Sequence, residues 1–225
     1  MFLQEKIKYP KIWFIFVIIW TILGAIAFYY EQNHSVYYWI QTKTVTYFPP
    51  KLIISLTHMG TFYFIAFLLL LFFFMYPKLR TRKSVYLLLL TQITPLTILQ
   101  FLKYYINAPR PSTSYGEESW FNSIPEIWGH SQSYWLSFPS GHTEGISALF
   151  AFLVLLAPNK HKYYWAILGI ILIPTVAYTR LYLSQHFLLD VWVGGMIGLW
   201  SGIAIYAFSL NSKSKKQNNL KINKE

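Results

Sequence analysis

At 225 residues, 55% hydrophobic, 20% aromatic and only 12% charged, the chain carries more apolar surface than a soluble domain of its length can hide. It has no cysteine, which excludes disulfides and thiolate metal sites. Its net charge of +11 sits in short clusters between apolar stretches, a pattern of membrane topology signals rather than of a nucleic-acid-binding stripe.

Six apolar runs predict membrane spans at roughly 12–30, 52–76, 84–102, 143–157, 163–183 and 187–208, judged against the roughly 20 helical residues that cross a bilayer. The first run follows Lys6, Lys8 and Lys11. It contains an "AIA" at 25–27 that resembles a leader cleavage site, but the run continues through Tyr30 and so reads as a span. The second holds His58 in its outer half, where a neutral imidazole bonded to a neighbouring helix is expected. The third ends in "KYYINAPRP", Lys103 to Pro111. Residues 112–135 follow, with Trp120, Phe121, Trp128, Tyr134 and Trp135 as interface anchors; His130 is given no functional role. The fourth run is short for a crossing and starts from "PSGH", Pro139 to His142, with Glu144 suited to the first turn of a helix. The fifth and sixth are joined through "TRLYLSQHFLLD", Thr179 to Asp190. The chain therefore reads as an all-α, six-span membrane protein with one domain at 1–210. The polar, basic tail at 211–225 has the composition of a disordered segment.

With six spans, 14 of the 19 Lys and Arg residues fall on one side: the N-terminal cluster, Lys78 to Lys83, Lys160 with Lys162, and the tail. That side is expected to be cytoplasmic, with both termini inside a cell (inner) membrane. The outer side keeps Lys43, Lys51, Lys103, Arg110 and Arg180, and the last three stand in or beside the three motifs above.

These motifs share one face by topology, and their chemistry is complementary. Lys103, Arg110 and Arg180 are cations at an apolar boundary with one nearby carboxylate, Asp190, so a bound anion must supply the remaining charge. Arginine's planar fork suits phosphate oxygens, and Ser140 and Gly141 offer backbone N–H groups at a helix start. His186 and Asp190 are four apart, so on a helix the carboxylate can accept Nδ1–H and leave Nε2 free to attack phosphorus. His142 can then protonate the leaving oxygen. A metal held by His142, His186 and Asp190 is disfavoured, because the surrounding cations would repel it.

Each element alone is weak: a turn, a pair of snorkelling cations, a local His–Asp contact. In this order they resemble the type-2 phosphatidic-acid phosphatase superfamily, whose signature is Lys-x6-Arg-Pro, Pro-Ser-Gly-His and Ser-Arg-x5-His-x3-Asp. Lys103 to Pro111 and Pro139 to His142 match the first two elements. Arg180, His186 and Asp190 match the third, with Thr179 where the family has Ser. The resemblance implies a cofactor-free membrane lipid phosphatase with its active site at the outer membrane–water interface. It also implies His186 as a phosphohistidine-forming nucleophile, His142 as acid and Asp190 as orienter. Lys103, Arg110, Ser140, Gly141 and Arg180 would be the phosphate ligands. Undecaprenyl diphosphate and phosphatidylglycerol phosphate lead as substrates, with lipid A phosphate and phosphatidic acid next. A lipid phosphotransferase and a non-catalytic channel or carrier stand as alternatives, and the sequence leaves oligomeric state open.

Overall fold

The computed structural model describes residues 10–31, 34–44, 47–121 and 134–222, so Lys6, Lys8, Trp128, His130 and the last three tail residues lie outside the described residues. Among the described residues every regular element is helical. Helix α1 (Lys11–Glu31) is apolar on all sides, yet it buries only one stripe, Trp13, Val17, Trp20 and Ala27, at helical spacing. Ile15, Ile18, Ile22 and Phe28 point outward uncovered. A helix apolar on both its covered and its uncovered face is suited to lipid, not water.

A short helix α2 (Ser35–Trp39) runs into a π-helical turn, Ile40–Thr44. Helices α3 (Pro50–Thr57) and α4 (Phe62–Met75) are separated by a 3₁₀ turn, His58–Gly60, and bent by 58°. Then come α5 (Arg82–Ile106), the single turn and a half of α6 (Pro111–Tyr115), α7 (Gly141–Leu156), α8 (Lys162–Tyr182) and α9 (Leu188–Ile222).

Four stretches are long and apolar enough to cross a bilayer alone: Lys11–Tyr29, Arg82–Tyr115, Lys162–Tyr182 and Leu188–Ile205. The run at 52–76 reaches that length only as the bent α3–α4 pair, and α7 has just 16 residues. The break in the pair coincides with a close tertiary contact. A Cβ at Gly60 would lie 2.8 Å from the His142 Cβ, so the 3₁₀ turn is pressed against the start of α7. His58 stands exposed at this break rather than bonded into a neighbouring helix. At the other end of the chain, α9 continues to Ile222, well past its apolar stretch. Lys and Gln are good helix formers, and extending an existing helix needs no new nucleus.

The axis of the bundle is α7. Twelve of its 16 residues are buried, and it packs against α5, α8 and α9. Its contact with α9 is close because Gly194, Gly198 and Gly202 recur every four residues. A Cβ at these positions would come within 2.4 Å of Ser140 O, Glu144 O and Ala151 Cβ respectively. Small residues at this spacing let two backbones approach where no hydrophobic effect drives helices together. Even alanine at Gly198 would force the helices apart, and with them the residues that begin both. Helix α1 closes the other flank of α9 through reciprocal bonds: Trp20 Nε1 donates to Trp192 O (3.2 Å) and Trp192 Nε1 to Trp20 O (2.8 Å).

At one end of the bundle, Tyr76 Oη pairs with His161 Nδ1 (2.9 Å) and accepts from Trp165 Nε1 (3.2 Å), while buried Lys162 donates to Leu155 O (3.2 Å) near the end of α7. A cation there satisfies a carbonyl that the helix leaves unpaired. The polar chemistry that the sequence singles out lies at the opposite end.

Candidate active site

At that end α5 finishes, α7 starts, α8 finishes and α9 starts, so four helix termini meet. Two strands of irregular chain link them. Residues 134–140 lead into α7, and the turn Ser184–Phe187 leads into α9.

The turn is built by the end of α8. Gln185 N donates to Arg180 O (3.0 Å) and Ser184 N to Leu181 O (3.1 Å), the paired bonds of a Schellman cap, with Ser184 left-handed at φ 54°. Glycine normally holds that position; a residue with a Cβ there costs about 1–2 kcal/mol. The cap carries His186, which is 2% exposed, into place ahead of α9. Asp190 then sits in the first turn of α9. His186 and Asp190 therefore approach each other across a turn and a helix start, not along one continuous helix face as their spacing predicts.

The Asp190 carboxylate is held firmly. Its Oδ2 accepts from Ser137 Oγ (2.5 Å) and Phe187 N (2.9 Å), with His186 Nδ1 3.4 Å away. Ser137 Oγ is also 3.5 Å from His186 Nδ1. Sequence reasoning missed Ser137; the only signal was its place three residues before Ser140. Oriented in this way, Nδ1 faces the carboxylate and Nε2 faces away from it. Burial is the largest cause that pushes the His186 pKa well below its usual value, followed by the charges of Arg180, Arg110 and Lys103. Both influences favour the neutral imidazole, which keeps a lone pair.

The cations converge on the irregular segment 134–137. Lys103 Nζ donates to Leu136 O (2.6 Å), and Arg110 Nε to Trp135 O (3.0 Å). An Arg110 terminal nitrogen reaches Gln185 at both its backbone O (3.0 Å) and its Oε1 (2.8 Å). Arg110 also begins α6 at its N-cap, and its backbone N donates to Tyr134 O (2.9 Å). Arg180 is 5% exposed: one terminal nitrogen donates to Thr57 Oγ1 (2.9 Å), while its Nε is buried with no partner among the described residues. Gln185, an unspecified position within the third motif, and Thr57, outside all three, keep two of the three cations in place.

Ser140 caps α7 and is tied to α9 by its N–H, which donates to Asp190 O (2.9 Å). Its hydroxyl accepts from Thr143 Oγ1 (3.2 Å). Gly141 opens the helix, and the nearest atom to a Cβ there would be Leu99 Cδ2, at an ordinary 3.8 Å. Packing would therefore admit a side chain at Gly141. His142 follows, half-buried, and Glu144 lies buried in the same first turn. The structure thus brings Lys103, Arg110, Ser140, Gly141, His142, Arg180, His186 and Asp190 to one end of the bundle. An unpaired buried guanidinium donor, a helix N-terminus and a neutral histidine backed by a carboxylate form an arrangement that can bind an anion and attack it.

Ser137→Ala would strip Asp190 of its shortest hydrogen bond and leave the carboxylate free to turn from His186. Turnover at this site should fall about tenfold, on the order of one hydrogen bond to a charged group, with little change in KM. A steady-state comparison with the parent protein checks this.

Comparison with known proteins gives a consistent result. The family model described as the PAP2 superfamily matches residues 82–214. An undecaprenyl-diphosphatase of Sulfolobus acidocaldarius is 32% identical over 122 residues, 54% of this chain and 53% of that protein. A lipid A 4'-phosphatase of Porphyromonas gingivalis is 28% identical over 155 residues, 67% and 61% of the two chains. This chain accordingly spans between half and two thirds of the length of these curated relatives. The crystal structure of Aquifex aeolicus LpxE superposes with a TM-score of 0.57 at 26% identity, over 75% of this chain and 91% of that one. The crystal structure of the first transmembrane PAP2 type phosphatidylglycerolphosphate phosphatase from Bacillus subtilis superposes with a TM-score of 0.65 over 87% and 94%. At 23% identity the latter speaks to fold alone. With more than half of its residues matched by the family model, and the motif residues gathered at one end of a helical bundle, the chain belongs to the PAP2 superfamily.

Proposed function

We propose that the protein is an integral-membrane lipid phosphatase that hydrolyses a phosphomonoester or diphosphate of a membrane lipid through a phosphohistidine. The observation that carries this reading is the convergence of three cations, one of them with a buried unpaired donor, on a neutral His186 backed by Asp190. In the first step His186 Nε2 attacks phosphorus, a P–N bond forms and the ester or anhydride P–O bond breaks. His142, protonated when the negative charge of the bound phosphate offsets the surrounding cations, gives its proton to the departing oxygen. In the second step water attacks phosphorus, passes a proton to His142, and the P–N bond breaks to release inorganic phosphate. Lys103, Arg110, Arg180, the Ser140 hydroxyl and the Gly141 N–H hold the equatorial oxygens throughout, where their charge counts most; the Ser140 N–H, expected from the sequence to join them, is committed to Asp190 O. No metal or cofactor has a part in these steps.

Counting the broken α3–α4 pair as a fifth span and the short α7 as a sixth gives the layout we propose, with residues 1–210 as one domain. The 14-to-5 division of basic residues supports termini in the cytoplasm and a site at the outer interface of the cell membrane. Substrates with an apolar tail suit that depth. Undecaprenyl diphosphate and phosphatidylglycerol phosphate are favoured, ahead of lipid A phosphate and phosphatidic acid.

Phosphate release from these four lipids by purified protein in detergent, with and without a second lipid as acceptor, tests the reading. Activity should survive excess chelator and be inhibited by vanadate. A rate lost in chelator and restored only by a divalent cation would overturn the metal-free mechanism. Product appearing only as a phosphorylated acceptor lipid would identify a phosphotransferase instead. No turnover of any kind would favour a channel or carrier.

A further inference from the structure

The left-handed Ser184 that aims His186 has a partner in a distant part of the chain. Tyr37, fully buried in α2, forms a 3.0 Å hydrogen bond from its hydroxyl to Ser184 Oγ. Four residues on, Gln41 Nε2 donates to Leu181 O (3.0 Å) and Tyr182 O (3.1 Å), carbonyls in the last turn of α8. The same short segment is clasped from above by rings. Tyr37 meets Phe187 edge-on at 5.4 Å between centroids and stacks on Tyr115 at 6.2 Å, and Tyr115 in turn meets Phe187 at 6.1 Å. Tyr115 ends α6, the helix that Arg110 caps, and Phe187 follows His186. One small segment thus touches both the turn bearing His186 and the helix begun by Arg110, and it lies outside residues 82–214, where the family model matches.

Ser184 breaks a local rule, since glycine would occupy its φ of 54° without strain. Strained residues persist where their surroundings over-determine them, and they cluster at functional sites. The hydroxyl of Ser184 gives the turn something that glycine cannot: a fixed attachment to Tyr37. We infer that Tyr37 is a positioning residue for the His186 turn, acting through its hydrogen bond to Ser184 to hold the nucleophile at one distance from phosphorus. This rests on the phosphatase reading above. Tyr37 makes no claim on substrate; it acts on the rate of attack rather than on binding.

The test uses the full chain in detergent with p-nitrophenyl phosphate as probe, and hydrogen exchange as a readout independent of activity. Tyr37→Phe keeps the ring cluster and removes only the hydroxyl. It should lower kcat about five- to tenfold, the scale of one lost hydrogen bond, with KM unchanged within twofold. Amides of 184–187 should exchange faster while those of α7 do not. Ser184→Ala, which keeps the strain and loses the attachment, should behave in the same way. In a Ser184→Gly background the attachment is already gone, so adding Tyr37→Phe should cause no further loss.

The inference is overturned if Tyr37→Phe leaves kcat and exchange unchanged. It is also overturned if Tyr37→Phe costs as much in the Ser184→Gly background as in the parent, since Tyr37 would then act through packing alone. An inactive parent protein would count against the phosphatase reading instead, and the exchange result would still decide the role of Tyr37.

Discussion

His186→Ala should abolish turnover on every substrate, whereas His142→Ala should fail chiefly on those with poor leaving groups. A nucleophile is needed for each reaction the site performs. A general acid matters most when the departing oxygen is basic, as in a lipid monoester, and contributes about 10²–10⁴-fold there. A diphosphate that leaves as a lipid monophosphate, or an activated aryl phosphate, departs with less help. The deficit of His142→Ala should therefore shrink towards the low end of that range on such substrates, while His186→Ala stays inactive on both. Asp190→Asn should be milder than His186→Ala, because the imidazole remains and only its orientation weakens. Steady-state rates on a lipid monoester and on an aryl phosphate separate these cases. Equal impairment of His142→Ala on both substrate types would contradict its role as acid.

Arg180 should prove nearly as sensitive, and intolerant even of lysine. Its guanidinium is buried, with one terminal nitrogen committed to Thr57 Oγ1 and Nε left without a partner among the described residues. A phosphate oxygen would satisfy that donor, and a guanidinium presents two donors in a fixed plane where an ammonium presents one compact charge. Arg180→Lys should lose about 10²–10³-fold in kcat/KM, the cost of removing a donor aimed at developing charge. Vanadate inhibition should weaken in parallel. Stability should move the other way: a buried charge without a full set of partners is expensive, so Arg180→Met should leave thermal stability in detergent unchanged or higher. A stable Arg180→Met protein with undiminished activity would remove Arg180 from the site.

The site was legible in the sequence because its chemistry restricts residue types. Lys103, Arg110, Ser140, Gly141, His142, Arg180, His186 and Asp190 could be picked out from three short stretches, and the structure brings them to one end of the bundle. The support around them was not legible. Ser137 reads as an ordinary loop serine, and its partner Asp190 is 53 residues away. Tyr37 and Ser184 are 147 residues apart, and nothing in "SVYYWIQTKT" distinguishes a buried brace from an interfacial loop. Residues 52–76 carry no Asp, Glu, Lys or Arg, so hydropathy averages over Ser55, Thr57, His58, Gly60 and Thr61 and sees one straight span. The bend at His58–Gly60 lies where the chain packs against His142, a tertiary contact that hydropathy does not register. The His186–Asp190 pair was identified from a helical spacing, but the structure brings it together through a Schellman cap.

The most direct measurement is to trap the phosphorylated protein. Brief reaction with a ³²P-labelled lipid phosphate, followed by denaturation, should yield label that is stable in alkali and lost in acid, as a phosphoramidate is, on the peptide containing His186. The His142→Ala protein should accumulate more of it when given a diphosphate, because the water that clears the intermediate loses its base. Label absent from the parent during turnover, or acid-stable label on Ser140, would contradict the histidine nucleophile on which the account rests.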